Sequence, residues 1–190
     1  MVSRLRRIAT FRGDRRGVSA VEFALIAPAV CAFYLGLSEM CQGYMAVRRM
    51  GHSAAAVTDL LSQDQVVTRD NIDDAMTIGA LLMRPFSTTG LRQRVSSVTI
   101  DNQRRAKVDW SRGSGLSARA AGSTVTLPDD MITTNNNSPK VLNIGDSILM
   151  TEVEYDYDSP VDYVMPALTR FTQTYYLRPR RSDSITCSNC

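Results

Sequence analysis

Residues that commonly carry catalysis are scarce in this chain. Its 190 residues include one histidine, His52, and four cysteines, which form no cluster rich enough for a catalytic zinc site. A lone histidine more often packs or lies on a surface than acts as a catalytic base. The sequence also lacks internal repeats. We therefore expect no enzymatic activity, no bound metal and no cofactor.

A surplus of positive charge is lacking everywhere except at the start of the chain. Residues 1–17 hold six arginines and a single acidic residue, Asp14. Removing them from the totals of 22 basic and 19 acidic residues leaves 16 basic and 18 acidic. Nucleic-acid binding depends on a surplus of positive charge that neutralises phosphates. We expect no nucleic-acid partner.

One long hydrophobic run, residues 18–37, follows the arginines directly. Twenty helical residues at about 1.5 Å each span roughly 30 Å, the thickness of a bilayer's hydrocarbon core. The flanking arginines predict a cytoplasmic N-terminus and a C-terminal domain outside the cytoplasm. A cleaved secretory signal is the competing interpretation. The length of the run, and the helical pattern after it, favour a retained single-pass anchor at residues 18–38.

The remaining pattern predicts an α+β fold. Apolar and small residues recur every three or four positions up to Leu61, so one helix of about 40–45 residues is expected, kinked by the ring of Pro28. Its lower half would lie in lipid and its upper half would pack on a small antiparallel sheet. We divide the chain into a leader at 1–17, this helix at 18–64 and an α+β domain at 65–190.

Within that domain the pattern predicts a second helix and an antiparallel sheet. The helix covers about residues 70–83, with acidic residues in its first turn. Alternating patterns predict a β-hairpin from residues 94–101 and 106–110, and further strands at 146–158 and 173–177. Residues 113–134 are expected to be irregular, and residues 135–139 to form a loop.

The last four residues contain Cys187 and Cys190, spaced as in redox enzymes. A thioredoxin-like site needs a preceding strand and a following helix, whereas here the motif stands at the end of the sequence. We predict a small-loop disulfide outside the cytoplasm, where disulfides persist. Cys41 is then free or joined to another subunit. The alternative is a bond between Cys41 and either of the other two.

The junction between leader and apolar run contains a distinctive group of residues. Gly17 would leave the backbone unhindered for a protease, and cleavage after it would expose the α-amine of Val18. That amine lies four residues from Glu22, about one helical turn, so the two charges can pair. A carboxylate at the edge of a membrane helix usually has a partner, because burying its charge in lipid is costly.

The stretch from Gly17 to Phe23 resembles the processing site of type IV prepilins of the Flp branch. The wider N-terminal stretch is similar to TadE/TadF-like minor pseudopilins of the Tad (tight adherence, Flp-type) pilus system, with Pro28 and Glu39 at matching positions. The close resemblance covers residues 13–62, and a looser one covers 146–160, whereas residues 84–145 match nothing. Major Flp pilins share the motif but are much shorter.

This resemblance implies a role in pilus assembly. A prepilin peptidase would cleave between Gly17 and Val18, and Glu22 and Phe23 would act in assembly. Implied partners are the peptidase, other minor pseudopilins, the pilin, the inner-membrane platform proteins and membrane lipid. The implied location is the bacterial inner membrane, with the C-terminal domain in the periplasm. The alternative is a signal-anchored periplasmic binding or adaptor protein that is not processed.

Overall fold

The computed structural model describes residues 17–128, 131, 142–158 and 170–190. The predicted leader, apart from Gly17, and the predicted loop at residues 135–139 lie outside the described residues. The chain divides into two compact units, residues 1–42 and residues 43–190. The boundary falls inside the N-terminal helix, so the second unit begins with the upper part of that helix.

The described elements confirm the α+β prediction. The helices are α1, Val18–Ser62, and α2, Arg69–Leu81. The strands are β1, Val66–Val67; β2, Leu91–Ile100; β3, Ala106–Ser114; β4, Thr124–Val125; β5, Ser147–Asp156; β6, Arg170–Leu177; and β7, Thr186–Cys187. Five of them form a sheet in the order β4-β3-β2-β5-β6, with every neighbouring pair antiparallel.

The N-terminal helix α1 has the predicted length, at 45 residues. It continues through Pro28, whose missing N–H removes one internal hydrogen bond. The predicted kink at Pro28 stays a prediction. Helix α2 begins at Arg69 because Thr68 caps it: the Thr68 hydroxyl accepts from the Asn71 N–H, and the Asn71 side chain accepts from the Thr68 N–H.

The predicted hairpin is confirmed as β2 and β3. Its turn is held by Asp101, whose carboxylate accepts backbone N–H groups of Gln103 and Arg105, each at 2.8 Å. Hydrogen bonding from the Arg105 backbone is the main cause that lowers the pKa of Asp101 to about 2. Both strands extend beyond the predicted limits, since β2 begins at Leu91 and β3 ends at Ser114.

The residues added to β2, 91–93, include one charged residue, Arg92, which donates to Asp156 at the end of β5 at 2.9 Å. Charged residues also pair across the sheet within the predicted part of β2. Arg94 donates to Glu152 on β5 at 2.7 Å, and Arg119 donates to the other oxygen of the same carboxylate at 2.7 Å. Burial alone would raise the pKa of Glu152, but the hydrogen bonds from Arg94 and Arg119 outweigh it and the pKa is lowered. Alternation of apolar and polar residues does not reveal such a charged strand end.

The upper part of α1 packs with α2 against the sheet. Val57 and Leu61 of α1 share one buried cluster with residues of α2 and of three sheet strands. Gly79 allows the two helices to approach closely, because a Cβ there would lie 2.5 Å from Val57 Cγ2 and 2.9 Å from Ser53 Oγ. A second buried cluster contains Ala46, Met50 and Ala54 of α1. They pack with residues at the C-terminal end of β5 and at the N-terminal end of β2.

Candidate processing and assembly site

Gly17 forms a turn immediately before α1 begins at Val18. Its carbonyl accepts the first hydrogen bond of the helix, from the Val21 N–H at 3.1 Å. A Cβ built on Gly17 would meet no atom within 4 Å, and its φ lies outside the left-handed region. The chain's own fold therefore has no steric need for glycine at this position.

Glu22 lies on the next turn of α1, four residues beyond Val18. Four residues correspond to a rise of about 6 Å along a helix, so a group on Val18 and the Glu22 carboxylate lie on the same face. Glu22 is exposed, and no hydrogen bond or ion pair found among the described residues involves it. The helix has no acidic residue in its first turn, which makes Glu22 the first carboxylate of α1.

The surface of α1 around this junction is apolar and open. Phe23 is 73% exposed, and large apolar side chains are exposed at frequent intervals as far as Met40. Exposure of so large an apolar surface to water is unfavourable. Exposed apolar patches of this extent mark contacts with lipid or protein. By length and composition α1 is able to cross a membrane. It is compatible with a single-pass anchor.

The structure joins Cys187 and Cys190 by a disulfide with a Cα–Cα distance of 5.6 Å. Cys31 and Cys41 are free and exposed. The disulfide closes a loop that includes Asn189, whose side chain accepts from the Arg69 N–H at the start of α2, at 2.8 Å. The loop therefore contributes to the capping of α2.

The segment leading into this loop is part of the domain, which the sequence did not predict. Thr186 and Cys187 of β7 pair in parallel with Val66 and Val67 of β1. The side chain of Ile185 is buried, and its backbone carbonyl accepts from Trp110 Nε1 at 2.7 Å. A lone tryptophan on a sheet strand indicates that an acceptor lies nearby, because a buried indole N–H needs one.

The described tyrosines near the ends of β5 and β6 differ in exposure. Tyr155 and Tyr157 are buried and contribute to a core cluster, whereas Tyr175 on β6 is 39% exposed. Among the described residues no group of three or more histidine, cysteine or acidic side chains is arranged to hold a metal ion. Gly17, Glu22 and the apolar surface of α1 are the candidate functional features.

Comparison with known proteins bears on the same segment. Residues 17–58 match the family model described as TadE-like protein. No curated protein and no solved structure matches the chain. The matched residues begin at Gly17, include Glu22 and Pro28, and end within the part of α1 that packs on the sheet. Over residues 17–58 the chain is therefore similar to the TadE-like family, and this similarity is consistent with a protein of Tad pilus systems.

Proposed function

We propose that this protein is a minor pseudopilin of a Tad (Flp-type) pilus, cleaved by a prepilin peptidase after Gly17. Its α1 helix would anchor it in the bacterial inner membrane, with the N-terminus in the cytoplasm and the C-terminal domain in the periplasm. The observation that carries the proposal is the arrangement at the start of the TadE-like segment. A glycine precedes an exposed apolar helix, and a carboxylate follows one turn later.

The surroundings of Gly17 support processing at this bond. A Cβ there would contact nothing within 4 Å among the described residues, so a requirement for glycine would come from another molecule. A peptidase that binds the backbone closely has such a need. The Gly17–Val18 bond also lies at the helix start, where a single hydrogen bond from the Val21 N–H holds the Gly17 carbonyl. Little helix has to unwind before the bond can enter an active site.

The position of Glu22 supports a role after cleavage. Removal of the leader would place an ammonium group on Val18 at the N-terminus of a long helix. That end already carries about half a positive charge from the helix dipole, so a second positive charge there is unfavourable. The Glu22 carboxylate can compensate it within the same helix. When copies stack with an axial offset, Glu22 can instead pair with the ammonium of a neighbour and fix the stagger.

Charge distribution supports the proposed orientation. Six arginines lie within residues 1–17, on one side of the apolar segment. Basic residues close to a membrane span are retained on the cytoplasmic side. The peptidase, the pilin, other minor pseudopilins and the inner-membrane platform are then the proposed partners.

The role of Glu22 is tested with Glu22→Ala and Glu22→Gln in the native host. We expect both variants to reach the membrane and to be cleaved, because residues 18–37 remain apolar enough to insert without the carboxylate. Pilus formation should be lost. Asp64→Asn, which removes an exposed carboxylate beyond the end of α1, is the control and should assemble normally. Normal pili from both Glu22 variants would contradict the assembly role.

The role of Gly17 is tested by a bulky substitution, with the same substitution at another glycine as the control. Gly17→Leu should cause the uncleaved chain to accumulate in the membrane fraction. Gly36→Leu is the control, because a Cβ at Gly36, which lies within α1, also meets no atom within 4 Å. If Gly17→Leu is cleaved as efficiently as Gly36→Leu, cleavage does not depend on glycine at this position. A chain that stays uncleaved and keeps its function when its membrane anchor is replaced by another would instead favour the alternative of a periplasmic adaptor.

A further inference from the structure

Aromatic side chains at one end of the domain connect the sheet and the loop after α2 to the place where α1 enters. The ring of Phe86, in that loop, lies 6.1 Å from the ring of Tyr157, which lies 6.2 Å from the ring of Phe171 on β6. A Cβ built on Gly43 of α1 would lie 3.8 Å from the Phe171 ring. The loop of residues 84–90 therefore lies close to Gly43, the first residue of the second unit.

Only a short piece of helix separates this end of the domain from the apolar segment. Helix α1 continues without a break from Leu37, where the apolar segment ends, to Ser62. Gly43 follows Leu37 by six residues, which is about 9 Å of helix rise. A headgroup layer about 5–7 Å thick covers each side of a bilayer's hydrocarbon core. Long side chains at this end of the domain therefore reach the headgroups of the membrane that α1 is proposed to cross.

Three exposed arginines lie at this end without an acidic partner among the described residues: Arg48 and Arg49 on α1, and Arg84 in the loop. The guanidinium of Arg48 lies 6.0 Å from the centre of the Tyr44 ring, which is one turn closer to the apolar segment. This direction follows the general lean of helix side chains toward the N-terminus. Tyr44 is also exposed, and tyrosine and arginine are favoured at the level of the headgroups.

The charge at this end of the domain is positive. Residues 43–58 of α1 and residues 75–100 contain no acidic residue. Three acidic residues lie at the end of β5 or just after it: Glu154, Asp156 and Asp158. Arg92 binds the first two, whereas Asp158 is exposed and forms no ion pair found among the described residues. The three arginines without an acidic partner outnumber this carboxylate, and such a surface attracts anionic phospholipids.

We propose that this end of the domain binds the headgroups of anionic phospholipids in the membrane that α1 crosses, through Arg48 and Arg84. A guanidinium can bind a phosphate with two parallel hydrogen bonds. Arg49 already donates to the Leu82 carbonyl at 3.4 Å and adds its charge. The contact holds the domain against the bilayer at a height set by α1. The proposal rests on the membrane anchoring proposed above, and it does not depend on cleavage or on pilus assembly.

A fluorescent label on the loop tests the contact in vesicles. Cys31 and Cys41 of the full chain are replaced by serine, and the exposed Ser87 is replaced by cysteine and labelled. The protein is reconstituted, at a low ratio to lipid, in equal parts of phosphatidylglycerol and phosphatidylcholine, with a nitroxide quencher on some of the headgroups. We expect strong quenching of the label at position 87. Gln63→Cys, exposed just beyond the other end of α1, is the control and should be quenched little.

Replacement of the arginines tests the dependence on charge. Each basic residue close to an anionic surface contributes about fivefold to the equilibrium constant for contact. Arg48→Gln combined with Arg84→Gln should therefore lower the ratio of quenched to unquenched label about 25-fold. Arg69→Gln combined with Arg181→Gln removes the same charge from exposed positions at the other end of the domain and should leave the ratio unchanged. Vesicles of phosphatidylcholine alone should quench the label only weakly.

Three results would overturn the contact with lipid. The first is quenching at position 87 no greater than at position 63. The second is quenching that the substitutions of Arg48 and Arg84 leave unchanged. The third is a label that is shielded from iodide in the water but not quenched by the lipid, because a protein would then cover this surface.

A label inside the apolar segment separates these results from failure of the anchor. Leu35→Cys, at an exposed position of α1, should be quenched by nitroxide on the acyl chains. If it is quenched while position 87 is not, the anchor stands and only the contact of the domain fails. If position 35 is not quenched, α1 does not cross the membrane and the proposed contact is overturned with it. The vesicles contain no peptidase, so cleavage does not affect any of these results.

Discussion

The side chain of Ile185 should contribute strongly to the stability of the C-terminal domain. It is 1% exposed and belongs to the cluster that contains Leu61 of α1, Val67 of β1 and Trp110 of β3. Ile185→Ala removes buried carbon atoms and leaves a cavity, which costs about 2–5 kcal/mol. The backbone carbonyl that accepts from Trp110 is kept in this variant. The loss of stability therefore comes from packing.

The only tryptophan of the chain provides the assay. Urea unfolding of the full-length protein in detergent micelles is followed by fluorescence of Trp110, and the midpoint is compared between variants. Ile144→Ala is the control, because Ile144 is 51% exposed and a surface substitution changes stability by no more than about 0.5 kcal/mol. If Ile185→Ala also falls within about 0.5 kcal/mol of the parent protein, the C-terminal segment does not pack on the domain as described.

Three further predictions use the same protein. Gly79→Ala should destabilise the domain by about 1–3 kcal/mol in the urea assay through overpacking, whereas Gly51→Ala, whose Cβ meets no atom within 4 Å, should not destabilise it. Because the pKa of folded Glu152 is lowered from its ordinary 4.5, its contribution is complete above that value and is lost as pH falls through the lowered pKa. Thermal melts should therefore show less acid sensitivity in Glu152→Gln than in the parent. Non-reducing peptide mapping should find Cys187 joined to Cys190, and a peptide that links either of them to Cys41 would contradict this pairing.

The long elements of the fold could be predicted from the sequence because each carries a pattern over many residues. The 45 residues of α1 combine an apolar run with helical spacing, and β5 alternates along most of its length. The turn at Asp101 is likewise a local signal, since its carboxylate binds backbone groups only two and four residues later. Local chemistry was sufficient for these parts.

The elements that the sequence did not predict depend on contacts between residues that are far apart in the chain. Strands β1, β4 and β7 have two residues each, which is too short for any periodic pattern. The pairing of Val66 with Thr186 joins residues 120 positions apart. Only the folded chain brings the C-terminal loop to the start of α2. For the candidate site, the sequence alone gives the spacing of Gly17 and Glu22. The open space around Gly17 could be seen only in the structure.

The most direct test of the account is the mass of the mature protein isolated from the membranes of its native host. Cleavage after Gly17 predicts a chain that begins at Val18 and contains 173 residues, the 190 of the sequence less 17. The Gly17→Leu variant should retain the full mass under the same conditions. A mature protein that begins at Met1, or one cut beyond the apolar segment, would contradict the account.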